Sequence, residues 1–201
     1  MSRLGVVVGS VMCVGALVGC SSAATEPPGL TASPTLSATP TSTPTPMPTG
    51  VIETSDTDLG IVFEDVPDLA GDEAEVYNWV AVYEKEFWRI LTTNTVAPTV
   101  DMLASPELKA TLDALAQSNA DDKSVIDGTL HVRVSLIDVQ GDSATASVCR
   151  DFTAVTVTED GRLLSPEEAG ATQPLRRDMT LLRVPAESRW IVQTSTNAGS
   201  C

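Results

Sequence analysis

Cys20 is the residue whose chemistry is most clearly marked in this sequence. It closes Leu17-Val18-Gly19-Cys20 at the end of the apolar run from Leu4 to Val18, which follows a single basic residue, Arg3. One cation, an apolar run, small residues and then cysteine make a lipobox. The chemistry expected there is alkylation of the thiol by a diacylglyceryl group and cleavage of the bond before it, so that the mature chain starts at lipidated Cys20. Each buried methylene contributes about 0.8 kcal/mol, and two or three acyl chains hold a protein on a membrane far more firmly than one. The run is shorter than the roughly 20 apolar residues of a spanning helix, and it contains Gly5, Gly9 and Gly15. The other reading is plain secretion, with cleavage near Ala23-Ala24.

Of the remaining cysteines, Cys13 leaves with the signal peptide, and Cys149 and Cys201 stay. Outside the membrane a disulfide persists, and closing a loop of about fifty residues stabilises a fold by roughly 4 kcal/mol in the chain-entropy model. Pairing of Cys149 with Cys201 is therefore expected, against a free buried Cys149 and a frayed Cys201. Two cysteines and one histidine fall short of a closed four-ligand metal site, so neither a metal nor another cofactor is expected.

Acid-base chemistry has few candidates. His131 is the one histidine, and strand alternation puts it beside Arg133 and Ser135, opposite Leu130 and Val132. If Leu130 faces the core, His131 is solvated. Tyr77, Tyr83 and Asp151 are the other residues that could reach a pocket, with Asp151 equally readable as a turn residue beside Cys149. The chain has no nucleophile elbow, no glycine-rich phosphate loop and no His-Glu-x-x-His.

Residues 21–50 contain seven Pro, eight Thr and five Ser, and Glu26 is their single charge. With no periodic apolar face to bury, residues 20–50 read as a disordered tether. In polyproline II, at about 3.1 Å per residue, it would reach on the order of 90 Å. It is either a plain spacer or an O-glycosylated one. The whole chain carries a formal charge of −15, and loss of Arg3 with the signal peptide (residues 1–19) makes the mature chain more acidic still. Such a surface repels phosphate backbones and anionic lipid, so nucleic acid is excluded as a partner. Residues 51–201 suffice for one domain with its own core.

Within that domain the period changes. After an extended lead, Asp72 with Glu75 three residues later predicts a helix start. Val76, Trp79, Val80, Tyr83, Phe87, Ile90 and Leu91 then recur at helical spacing, with Glu73, Glu84, Lys85 and Arg89 largely off the stripe. Ser105-Pro106-Glu107 predicts an N-cap inside a second helical region from Thr99 to Ser118, burying Leu108, Leu112 and Leu115. From Gly128 the period is two. Leu130–Ile137 turns at Gly141-Asp142 into Ser143–Val157, and Pro174–Val184 and Arg189–Thr196 follow across a short turn. Helices followed by a meander predict an α+β domain whose helices pack on a curved antiparallel sheet of about four strands.

Several segments also carry a resemblance: Val76-Tyr77-Asn78-Trp79, Tyr83-Glu84-Lys85-Glu86-Phe87-Trp88, Ala104-Ser105-Pro106-Glu107-Leu108, Gly141-Asp142-Ser143-Ala144-Thr145 leading to Cys149-Arg150-Asp151, and Arg189-Trp190-Ile191-Val192 before Cys201. Over roughly residues 60–201 the chain resembles actinobacterial secreted lipoproteins of unknown function with a nuclear-transport-factor-2-like, or cystatin-like, domain. The resemblance implies a cone with a cavity at its open end, a bridge from a strand cysteine to the C-terminal one, and a homodimer formed through the sheet.

Taken together, these features predict a protein on the outer face of the cell membrane, held there by its N-terminal lipid. Its expected role is non-catalytic binding of an envelope protein, a wall component or a small apolar ligand. A carrier or isomerase-like enzyme with an apolar pocket, and a structural envelope spacer, are the alternatives.

Overall fold

The apolar stripe from Val76 to Leu91 lies on one long helix, α1 (Gly71–Thr93), in the computed structural model, which describes residues 50–53 and 55–201. The signal peptide, Cys20 and the tether up to residue 49 lie outside the described residues. Val76, Tyr77, Val80, Tyr83, Phe87, Trp88, Ile90 and Leu91 are buried along α1, as amphipathic spacing requires. The start differs from expectation. Ala70 is the N-cap and makes no side-chain cap bond; Asp72 instead lies in the first turn and binds Arg183 at 2.8 Å. A carboxylate there still favours the helix through the macrodipole.

The second helical region divides. A single turn, α2 (Val100–Leu103), precedes α3 (Pro106–Asp121). Ser105 caps α3 as the sequence predicts, its Oγ accepting from the Leu108 amide at 3.2 Å. The same Oγ donates to the Gln193 carbonyl at 3.1 Å, and the Ser105 amide bonds the Val192 carbonyl at 2.9 Å. The junction between the two helices thus hangs on the last strand. Only Leu112 and Ala116 of α3 are fully buried; Leu108 and Leu115 pack on the rim of the core.

The strands are β1 (Ile61–Phe63), β2 (Val125–Gly128), β3 (Leu130–Gln140), β4 (Ser143–Asp151), β5 (Val155–Glu159), β6 (Arg162–Leu163), β7 (Leu175–Val184) and β8 (Arg189–Ser200). They form an α+β domain with two sheets, ordered β1-β3-β4-β7-β8 and β2-β5-β6. Two expectations are corrected. The main sheet has five strands instead of about four, and it is mixed, because the lead supplies β1, parallel to β3 with Ile61 opposite Leu130. The predicted strand Ser143–Val157 breaks after Asp151, and β5 leaves to pair with β2 in the smaller sheet. Gly128 allows this parting. Its φ is +114°, and a Cβ there would stand 2.3 Å from the Ala154 carbonyl oxygen.

Trp88 and Trp190, both fully buried, fill the space between α1 and the main sheet. Each indole N–H is satisfied, Trp88 by the Leu59 carbonyl at 2.8 Å and Trp190 by Glu75 at 3.2 Å. Aromatic side chains with both body and polar tip satisfied typically cost about 3–5 kcal/mol to truncate to alanine.

Candidate functional site

Pairing registers define what the inner face of the main sheet offers to α1. Val132 stands opposite Arg150, Val134 opposite Val148, Val148 opposite Arg177, and Arg177 opposite Asn197. Paired residues share a face, so two arginines from neighbouring strands lie diagonally on the side that carries the core. Tyr83, Glu84 and Phe87 of α1 meet them there.

Glu84 is fully buried and Arg150 is 5% exposed. Arg150 donates from Nε to one oxygen of Glu84 at 2.7 Å and from Nη2 to the other at 2.8 Å. Its Cζ lies 3.6 Å from the centroid of the Phe87 ring. A two-pronged bond plus a stacked guanidinium is geometry that lysine does not reproduce. Burial alone would lower the pKa of Arg150, but the charge and bonds of Glu84 outweigh it and the value is raised. Arg150 is therefore charged, and removing Glu84 leaves that charge buried and uncompensated. Burial pushes the Tyr83 phenol up, against the opposing pull of Arg150. Both oxygens of Glu84 are committed to Arg150 and Tyr83 keeps its proton, so neither group is poised to accept a proton from a substrate.

Arg177 sits at the margin of this cluster, half-buried. It donates from Nε to the Ser195 hydroxyl at 3.3 Å and from Nη2 to the Ser195 carbonyl. Its pKa is lowered, first by burial and then by the like charge of Arg150.

The four pocket candidates named from sequence do not meet. Tyr83 belongs to the inner cluster. Tyr77 is 1% exposed, tilted against Phe63 with ring centroids 6.4 Å apart, and its hydroxyl is buried without a partner among the described residues. Burial, with a contribution from Glu53, pushes its pKa up to about 12. His131 and Asp151 lie on the opposite, outer face as register partners. His131 Nδ1 is 2.8 Å from Glu64. Burial alone would raise the Asp151 carboxyl, but its bonds with Thr153 and the nearby His131 and Arg133 bring it below the ordinary value. Asp151 is the last residue of β4, and its carboxylate secures the turn that follows by accepting from the Thr153 amide at 2.8 Å.

Cys149 and Cys201 form a disulfide with Cα atoms 6.0 Å apart, within the ordinary range for such bridges. The bridge ties central strand β4 to the C-terminus. No group of metal-binding side chains is present among the described residues, and no described helix is long and apolar enough to cross a membrane.

A surface groove of about 240 Å³ runs between the lead and α1, floored by Ile52, Trp79 and Val82. Trp79, expected in the core, is half-buried here. Asn78 fixes the lead beside it: its Oδ1 accepts from the amides of Ile52 and Glu53 at 2.9 and 3.0 Å, and its Nδ2 donates to the Gly50 carbonyl at 3.2 Å. Lys85 adds an ion pair to Glu53 at 2.7 Å. The point where residues 50–53 join the domain is thereby held by a side chain that imitates a strand edge.

Sequence reasoning missed Glu84, Arg150 and Arg177 as a group. The signal was present for two of them. Glu84 falls four residues after Val80, three before Phe87 and seven before Leu91, so it belongs to the helical stripe. Arg150 continues the alternation of Ala144, Ala146 and Val148.

Fold and site define an α+β domain with a buried ion pair beneath a mixed, disulfide-tied sheet. No protein-family model matches the chain, and no curated protein matches it. Among solved structures it is similar to the intermembrane-space region of the chloroplast protein ARC6, at 15% identity and a TM-score of 0.48, over 65% of this chain and 98% of that one.

Proposed function

We propose that the chain is a lipid-anchored protein of the outer membrane face, whose C-terminal domain, a cone of the nuclear-transport-factor-2-like kind, binds a ligand or partner without catalysis. The observation that carries the reading is the Cys149–Cys201 bridge. Disulfides of this kind persist in oxidising compartments, where the lipobox at Cys20 would deliver the chain. The Asn78 clamp on residues 50–53 supports the tethered geometry, since it secures the domain where the tether would pull.

The non-catalytic part rests on the inner face. Its carboxylate is neutralised by Arg150, and the space beneath α1 is filled by Trp88, Trp190 and Met179. Replacing Cys20 with Ser in the native host tests the anchor. The parent should sediment with membranes as a cleaved chain, and the variant should appear in the medium or keep its signal peptide uncleaved; a variant that is cleaved before residue 20 and still sediments like the parent would refute lipidation at Cys20.

A carrier is the second reading, favoured by Arg177, a cation on the inner face without a carboxylate partner among the described residues.

A further inference from the structure

The described residues include eleven Lys and Arg side chains. Ten of them lie within 4.0 Å of a carboxylate, exposed pairs such as Lys123–Asp160 and Arg189–Glu187 included. Arg177 is the exception. In a chain of formal charge −15 an arginine finds a carboxylate easily; its neighbour Arg176 has one, Asp178, on the outer face at 3.4 Å. Arg177 points to the other side, where the charged groups near it are Arg150 and Glu84. Glu84 is consumed by Arg150 through two bonds. The inner cluster therefore carries one uncompensated positive charge in a half-buried setting, where screening by water is weaker than at the open surface.

We propose that Arg177 is the anchor of a binding site for a small monocarboxylate with an apolar body. One excess charge calls for a monoanion. The fork of Arg177 is oriented by Ser195 through Nε and Nη2, which leaves Nη1 uncommitted and suits a carboxylate oxygen. Along the same face Arg177 lies between half-buried Leu175 and buried Met179 on its own strand and faces buried Val148 on β4, so Leu175 is the apolar neighbour that the body of a ligand can reach. The proposal leans on the preceding section only in treating the domain as a binding domain; the anchor at Cys20 plays no part in it.

The test is thermal unfolding of the full detergent-solubilised chain with hexanoate, and with hexanol as the uncharged control of similar size. Near saturation, hexanoate should raise the midpoint of the parent and of Arg176→Met by about 3 °C through mass action, leave Arg177→Met unmoved, and exceed hexanol throughout. No rise in the parent, an equal rise in Arg177→Met, or an equal effect of hexanol overturns the site. Should Arg177→Met fail to fold, the Nε–H resonance of Arg177 in the parent decides. It should move in a saturable way with hexanoate and stay fixed with hexanol; a fixed resonance with both rejects the proposal. Failure here would leave membrane anchoring untouched, which the Cys20→Ser experiment tests separately.

Discussion

Glu84 and Arg150, sixty-six residues apart in the chain, meet through two hydrogen bonds of 2.7 and 2.8 Å in a site almost closed to solvent. The pair joins the middle of α1 to the central strand of the main sheet. Replacing Glu84 with Ala should destabilise the domain by about 3–5 kcal/mol, because Arg150 is left charged and buried. The double change Glu84→Leu with Arg150→Met should recover most of that loss. Urea unfolding of the three proteins measures both effects; a single substitution that costs under about 1 kcal/mol would show the pair to be solvated.

Tyr77→Phe should be neutral or stabilising by about 1 kcal/mol, since it deletes a buried hydroxyl that has no partner among the described residues. The pH dependence gives a second readout. Tyr77 keeps its proton to about 12 in the folded domain, against 10.0 for an ordinary tyrosine. The unfolded chain therefore releases this proton first, and the parent should lose stability as pH rises above 10.0 towards 12. Tyr77→Phe should lose less over that window. Equal alkaline slopes in chemical denaturation would mean that the hydroxyl is not buried.

Leu136 adopts a φ of +51° where β3 slips register against β4, and it is 78% exposed. Left-handed backbone disfavours a leucine, and little burial offsets the strain at this bulge. Leu136→Asn should raise stability by about 0.5–1 kcal/mol, as should Leu136→Gly apart from the flexibility it adds to the unfolded chain. Thermal midpoints below the parent for both variants would contradict this.

Across the disulfide, Cys149 and Cys201 stand 52 positions apart in the chain. Cys201→Ser should lower stability by roughly 4 kcal/mol in oxidising buffer and leave it nearly unchanged in reducing buffer, on the chain-entropy account. Equal stability of parent and variant under oxidising conditions would remove the bridge from the list of what holds the fold.

The class of the fold was legible wherever one period ran uninterrupted. The stripe from Val76 to Leu91 became α1, the Ser105-Pro106 cap opened α3, and Gly141-Asp142 turned β3 into β4. What escaped was set by long-range pairing. Three residues, Ile61–Phe63, become a strand only because β3 offers a parallel edge, and β5 departs from β4 because Gly128 lets two backbones approach. The inner cluster is hidden for another reason: charged side chains ordinarily mark the solvent side of an element. Glu84 and Arg150 each satisfy the periodicity of their own element, and their burial follows only from finding one another. The place of His131, on the face opposite Leu130 and Val132, is legible because alternation in β3 holds over that stretch.

The most direct test of the proposed function is the intact mass of the protein extracted from membranes of its native host, before and after reduction. The expected mass is that of residues 20–201 plus a diacylglyceryl group, with or without an amide-linked acyl chain, and it should rise by two hydrogens on reduction as Cys149 and Cys201 are freed. A chain beginning at Met1, or at Ala23 or Ala24 without lipid, or one whose mass does not change on reduction, would contradict it.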